Sequence, residues 1–530
     1  MRGRAKSLSW LLTVFLPAGG LMILITRWLW HSRHLLHWDS VQFALAMNQF
    51  DVSQHQPHPP GYIVYVYLGK LFQLIWPDPN IALLILSIIS SVVAFCLVVL
   101  LVQRWFGKTA GIIAGLLFLT NPLVWFHGLV AEVYIVEAAA ALVVVWLADT
   151  FLRTRHQKFL WWMIVALGAL GGIRQSTEVV LLPLLVYVLV TGGVWRQMAW
   201  KVLAGLAAVN LIWFVPVVTM SGGLASYLTA LWRLTRATIS DEYGLQGLVG
   251  LLITNFAFTM QILRQALLPG LLILLLAVLP FIAEESKKKY RIDWSGVRFW
   301  LAVILPGLLI IPLILVKNSG YMLTITVFLL GLVAAAIVLL ARVVGNWRTR
   351  YRTPIAAILT AIVLGFQSWA FFALPVRAFY YVSASINSIR TIDDDLDEVM
   401  STIEKNFPPN ESAVWVTGDY VFFGQRHFQY YLPEYDVYTV TPKSFVDYPE
   451  RPIWHVRGKN VSDFSDKLTL TGNVRYLVFI RQEIFGPADD YQQIVKDAPD
   501  APLAYYNLDD ADTREFLRNK YNNYFVIERD

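Results

Sequence analysis

Apolar runs long enough to cross a bilayer recur throughout the first 375 residues, and they constrain the fold more than any other feature. A hydrocarbon core about 30 Å thick takes roughly 20 mostly apolar residues per helix, because in lipid a segment must satisfy its own backbone groups. Eleven runs qualify, at about 9–29, 81–103, 109–126, 130–152, 159–174, 177–195, 200–219, 266–283, 297–315, 321–342 and 354–374. Composition agrees: 15% of residues are charged, against roughly 25% in ordinary soluble domains. The expected fold class is a polytopic α-helical membrane protein of about eleven spans. The first run follows MRGRAK, is too long for a signal core and lacks an A-x-A site, so it reads as an anchor.

Charge divides the chain in two. Residues 1–375 carry 27 Lys+Arg against 12 Asp+Glu, whereas residues 376–530 carry 16 against 25. The first stretch is the expected membrane domain and the second an acidic, water-soluble α/β domain. In the latter, SIRTIDDDLDEVMSTIEKNF reads as an amphipathic helix, and SAVWVTG, YDVYTV, PIWHV and VRYLVFI as strands. Basic residues gather on the cytoplasmic side of membrane proteins. With the N-terminus inside, MRGRAK, QRWFGK, RTRHQK, RQMAWK, EESKKKYRIDWSGVR and RVVGNWRTRYR are all cytoplasmic, and they hold 19 of those 27 Lys+Arg. Eleven crossings then deliver the tail outside. The positive charge is therefore topological and does not point to nucleic acid. Half of the twelve acids, Asp39, Asp51, Asp78, Glu132, Asp241 and Glu242, fall in outer segments. The rule for basic residues does not account for that.

The first outer connection, residues 31–80, contains DVSQHQPHPPGYIVYVYLGK. Pro57, Pro59 and Pro60 hold φ near −65° and donate no hydrogen bond, so a stiff polar turn is expected, with a bend at Gly61. Short amphipathic helices, about Ser40–Phe50 and Gly61–Trp76, are expected to lie on the membrane on either side of it.

HWDS, HPPGY and LGK in this connection, with AEVY in the second outer one, resemble the GT-C superfamily of membrane glycosyltransferases. The resemblance is to bacterial relatives of the protein O-mannosyltransferases and lipid A aminoarabinose transferases. Residues 1–200 carry most of it, and the rest follows in layout. It implies an enzyme of the bacterial inner membrane that moves a sugar from a polyprenyl-phosphate carrier to an acceptor hydroxyl outside the cell, with inversion. The family's essential aspartate of the first outer loop is matched by Asp39, and its second acid by Glu132. Mannosyltransferases often show two adjacent acids where this chain has Asp39 followed by Ser40, so metal use and substrate stay open.

Chemistry assigns the remaining roles. An attacking hydroxyl must lose its proton, and Asp39 is the candidate base; Asp39 also suits the N-cap of a helix starting near Ser40. Glu132 and Tyr134 open the fourth span, where an acid also suits the helix dipole. Glu137 is an ionisable group inside that span. A leaving lipid phosphate calls for cations. Arg174 in GGIRQST and Lys317 in LVKNSGYML are the candidates, followed by Arg233 and Arg236, although long basic side chains at a membrane surface also simply snorkel. His58 is read as a substrate contact or a brace of the turn. His31, His34 and His37 recur every third residue, on one face if helical. Together with His55, His58 and His127 they make a divalent metal near Asp39 the one cofactor option. The expected partners are a polyprenyl-phosphate-linked sugar, an acceptor on protein, lipid or glycan, and the bilayer. The alternative is a transporter or lipid flippase, a class that tends to show related halves; no such repeat is evident here.

Overall fold

The computed structural model describes residues 11–240, 247–279, 294–313, 318–345, 349–378, 381–416, 424–441, 452–458, 461–480, 492–495, 503–520 and 525–528. The chain forms two compact units that interleave along the sequence. One comprises Met1–His31, Tyr62–Pro216 and Leu245–Ser388, the other Ser32–Gly61, Val217–Gly244 and Ile389–Asp530.

In chain order the helices up to the tail are α1 (Leu16–Trp30), α2 (Trp38–Asn48), α3 (Ile63–Gln73), α4 (Pro79–Phe106), α5 (Lys108–Thr120), α6 (Pro122–His127), α7 (Tyr134–Thr154) and α8 (Gln157–Ile173). Then come α9 (Gln175–Thr191), α10 (Trp195–Met220), α11 (Leu224–Ser240), α12 (Gly247–Val278), α13 (Trp294–Ile310), α14 (Leu323–Val344) and α15 (Arg352–Phe372). Among the described residues, eight helices are long and apolar enough to cross a membrane, and α5, α8 and α9 are shorter apolar helices. Together they stand where the eleven runs were read.

Two runs fold differently from expectation, each for a local reason. The run at 109–126 is not one helix. Asn121 turns the chain out of helical geometry, its side chain accepts from the Leu123 and Val124 N–H groups, and Pro122 starts α6. Proline has no N–H to continue a preceding helix and suits a first helical turn. The run expected at 266–283 is the later part of α12, which starts at Gly247. Asn255, Thr259 and Gln265, which precede the run on the same helix, are all buried. Asn255 donates to the Pro312 carbonyl, Thr259 to that of Asn255, and Gln265 to that of Ala384.

Within the first unit, Arg104 near the end of α4 and Arg153 near the end of α7 both bind the buried Asp149, at 2.9 and 2.8 Å. Those two helices therefore bring their C-terminal ends, both expected to be cytoplasmic, to one side.

The tail alternates strands and helices, and from Ile389 onward it belongs to the second unit. Strands β1 (Arg377–Ala378) and β2 (Tyr381–Val382) form a small antiparallel pair ahead of helix α16 (Ile386–Asn406). After β3 (Ser412–Val416) come α17 (Gln425–Tyr431), β4 (Asp436–Val440), β5 (Ile453–Arg457), β6 (Val461–Ser465) and β7 (Leu468–Leu470). The chain ends with β8 (Tyr476–Ile480), β9 (Gln492–Val495), β10 (Leu503–Asn507), α18 (Ala511–Lys520) and β11 (Phe525–Ile527). The main sheet has the order β6-β5-β4-β3-β8-β10-β9, with β3 parallel to β4 and β8 and the other pairs antiparallel. Every residue of β3 is buried, as its sequence SAVWV suits for a strand covered on both faces.

The helix around residues 40–50 was expected on the membrane surface. Instead Ser40–Met47 of α2 is buried throughout, because tail helix α17 packs against it within the same unit. In contrast α3 keeps an exposed apolar side that includes Tyr67 and Leu71.

Candidate active site

Two clusters of polar side chains contain the candidate residues, one in each unit. The first is built on breaks in helices. Helix α6 stops at His127, a short turn carries Glu132, and α7 begins at Tyr134. Arg174 sits in an extended break between α8 and α9. Asn318, Ser319 and Tyr321 belong to a 3₁₀ turn that leads into α14. These segments converge. The Glu132 carboxylate meets His127 Nδ1 at 2.8 Å and accepts from Asn318 Nδ2 at 3.2 Å. A carboxylate offers no proton to Nδ1, so Nδ1 donates and Nε2 accepts from Ser319 Oγ at 3.1 Å. Hydroxyl, imidazole and carboxylate thus form a buried chain that holds Glu132 in one orientation.

Beside this chain the Arg174 guanidinium lies between two aromatic faces, 4.6 Å from the Tyr134 ring centroid and 4.2 Å from that of Tyr321. Cation–π contacts of this kind strengthen when desolvated, and Arg174 is buried. Its Nη1 is 3.5 Å from Glu137 Oε2. Glu137 also accepts from Thr177 and, at 3.1 Å, from Thr324. Gly320 permits the arrangement, since a Cβ there would lie 2.2 Å from the Tyr134 ring.

The second cluster surrounds Asp39. His37, not Asp39, is the N-cap of α2: its Nδ1 accepts from the Asp39 backbone N–H at 3.1 Å. The Asp39 side chain is released from the capping role that its position suggested. Its oxygens lie 3.4 Å from His58 Nδ1 and 3.6 Å from His37 Nδ1, and the side chain is 26% exposed although Ser40–Met47 of the helix is buried. Gln42 fixes His58, with its Oε1 accepting from the His58 backbone N–H at 3.1 Å and from Nδ1 at 2.8 Å. The stiff turn that presents His58 includes left-handed backbone at His55 and Tyr62 and a φ of +117° at Gly61, where glycine avoids the strain of a side chain.

Helix α17 backs α2 with the buried residues Gln425, Arg426 and His427. Burial pushes the His427 imidazole down to about 3. It is neutral in the folded protein, whereas an unfolded chain takes up its proton near pH 6.5. As pH falls from 6.5 towards 3 this one group therefore removes up to about 1.4 kcal/mol of stability per pH unit. His427→Gln is expected to shrink the difference in melting temperature between pH 7.5 and pH 5.0. An unchanged difference would show that another group sets the acid sensitivity.

Glu132, Tyr134, Glu137 and Arg174 are brought together in the first unit, and Asp39 with His58 in the second. Lys317 lies outside the described residues. Arg233 and Arg236 lie on α11, in the second unit. The histidine row at 31–37 has no shared face, because the segment is not helical. His31 donates to the Trp28 carbonyl at 2.6 Å, His34 pairs with Asp397 at 2.6 Å, and His37 caps α2. Among the described residues, no group of three or more His, Cys, Asp or Glu side chains is arranged to hold a metal ion. Sequence reasoning did not find His127 as the partner of Glu132, nor Asn318, Ser319, Tyr321 and Gln42. The segment KNSGY stands out in sequence for its lysine, whereas the described structure puts Asn318, Ser319, Gly320 and Tyr321 to use.

Comparison with known proteins agrees with this layout. Residues 39–198 match the N-terminal domain of the protein O-mannosyl-transferase TMEM260. Protein O-mannosyl-transferase tmem260 of Dictyostelium discoideum is 24% identical over 198 residues, which is 34% of this chain and 23% of that protein. The match therefore spans under a quarter of that relative. ArnT from Cupriavidus metallidurans bound to undecaprenyl phosphate superposes with a TM-score of 0.56 at 14% identity, covering 94% of this chain and 98% of that one. Its apo form gives 0.53 at 13% identity over the same shares. By sequence across residues 39–198, and by fold across nearly its whole length, this chain resembles the GT-C membrane glycosyltransferases.

Proposed function

We propose that the protein is an integral-membrane glycosyltransferase that moves a sugar from a polyprenyl-phosphate carrier to an acceptor hydroxyl on the extracytoplasmic face, with inversion at the sugar. One observation carries the reading. The stretch that resembles the O-mannosyl-transferase domain contains Asp39, His58, Glu132, Tyr134 and Arg174, the same residues that stand in the two polar clusters. The fold shared with an ArnT that binds undecaprenyl phosphate supports the carrier class.

In this reading the acceptor oxygen bonds to the anomeric carbon while its proton passes to Asp39. The bond from that carbon to the carrier phosphate oxygen breaks, and polyprenyl phosphate leaves with the electron pair. The partial exposure of Asp39 suits a base that must meet an incoming hydroxyl, and His58 steadies its carboxylate. Glu132, fixed by His127 and Asn318, is the second acid. Arg174 and Lys317 are the cations assigned to the phosphate, with Tyr134 and Tyr321 holding the Arg174 plane. The tail and the N-terminal connections to it lie outside a bacterial inner membrane.

The direct test uses purified protein in proteoliposomes with labelled polyprenyl-phosphate sugars and candidate acceptors. Transfer of label to a hydroxyl with release of polyprenyl phosphate is expected. Movement of the lipid across the bilayer without any transfer overturns the reading in favour of a flippase. Orientation has its own check. Ser401→Cys, with the native Cys96 replaced by Ser, is expected to react with an impermeant thiol reagent in intact cells. Labelling only after lysis reverses the assigned sidedness.

A further inference from the structure

The acidic run IDDDLDE on α16 has no part in the chemistry above, yet it meets the segment that leads into the Asp39 helix. Asp393 is fully buried and its two oxygens are spent on three consecutive residues. Oδ1 accepts from Ser32 Oγ at 2.7 Å and from the His34 N–H at 3.3 Å, and Oδ2 accepts from the Arg33 N–H at 3.0 Å. The next amide, Leu35 N–H, donates to the Tyr431 phenol of α17 at 2.7 Å. On the outer side Arg33 Nη2 binds Asp394 at 2.6 Å and Asp397 at 2.8 Å, and His34 Nε2 binds Asp397 at 2.6 Å. Beyond α2 the tail takes hold again: Arg426, buried and stacked 4.5 Å from the Trp454 ring centroid, donates from Nη2 to the Gln54 carbonyl at 2.5 Å.

We infer that α16 and α17 of the tail are a clamp that sets the position of Asp39, with Asp393 as its central positioning residue. The physical case rests on which groups are bound. Three successive backbone N–H groups of a non-helical segment, residues 33–35, have no ladder of their own, and amides partly withdrawn from water need acceptors. Every acceptor comes from the tail. A carboxylate accepting two amides and a hydroxyl makes charge-assisted bonds, the stronger kind. The surface pairs of Arg33 contribute little by comparison. The segments on both sides of α2 are thus held by the tail, and the Asp39 carboxylate, in the first turn of that helix, inherits its position from bonds made on either side. Productive geometry tolerates small errors poorly: a displacement of about 1 Å costs on the order of 10²-fold in rate. The clamp depends on the proposed role of Asp39 only for its effect on rate.

Asp393→Asn tests it, because one of its two oxygens becomes an NH₂ that faces N–H donors. Hydrogen exchange of the Arg33, His34 and Leu35 amides in the full chain is expected to speed up at least tenfold, with exchange in β3 and β8 unchanged. In the transfer assay kcat is expected to fall at least tenfold while KM for the lipid donor stays within twofold. Asp466→Asn, an exposed acid of the same domain, leaves both measurements unchanged. Arg33→Ala, which removes only the outer pairs, is expected to change kcat less than threefold. Unaltered exchange at residues 33–35 in Asp393→Asn overturns the clamp, and faster exchange with undiminished kcat overturns its role in setting Asp39. If Asp39→Asn itself proves fully active, the reading of Asp39 fails, and the exchange experiment still decides the clamp.

Discussion

Asp39→Asn is expected to lower sugar transfer by about 10²- to 10⁴-fold, the usual contribution of a positioned general base. The substitution is nearly isosteric, and the residue is not the cap of its helix, because His37 accepts the first free N–H. Its side chain is partly exposed and is not part of the core of α2. Melting temperature and membrane insertion should therefore stay close to wild type while kcat collapses. The contrast separates the chemical reading from the structural one. If Asp39 served only to favour the start of α2, Asn would be an adequate replacement and activity would persist. Full transfer by this variant removes Asp39 as the base, whatever happens to the remaining residues.

Glu132→Gln carries the second largest expected effect, a loss on the order of 10² in kcat, comparable to removing one preorganised electrostatic group from a water-excluded site. Gln keeps an oxygen for Asn318 and preserves the volume, so packing against Ser87 and His127 is retained. It removes the charge and places an NH₂ where His127 now finds an acceptor. The hydroxyl–imidazole–carboxylate chain then loses its end. A helix-start acid is worth roughly 0.3–1 kcal/mol to stability, and its loss would lower the melting temperature slightly with kcat intact. Measuring both quantities on one preparation tells the two apart. A normal kcat would make Glu132 a structural acid.

Much of the scaffold was legible because its cause is one-dimensional. Bilayer thickness and the need for internal backbone hydrogen bonds turn a long apolar run into a helix whatever its neighbours are. The eleven runs accordingly correspond to helices. Where the reading slipped, neighbours decided. Asn255 and Gln265 are polar residues of an otherwise apolar helix, and carbonyls from residues far along the chain bind them inside the unit. The histidines at 31, 34 and 37 would share a face only in a helix. Residues 32–35 are bound to tail side chains instead, through contacts some 360 positions away that no local pattern records.

The candidate site divides in the same way. The resemblance to the GT-C family singled out Asp39 and Glu132, and the charge of a leaving phosphate pointed to Arg174, a cation at the end of an apolar run. Their partners are ordinary residues, a serine, an asparagine, a tyrosine and a histidine, and only folding brings each within 3 to 5 Å of its charged or aromatic partner. Sequence alone determined that this chain crosses a membrane and which charged groups stand at the ends of its spans, because burial in lipid penalises each residue by its own chemistry. Tertiary structure alone decided what holds those groups, because a hydrogen bond depends on two residues and on the distance between them.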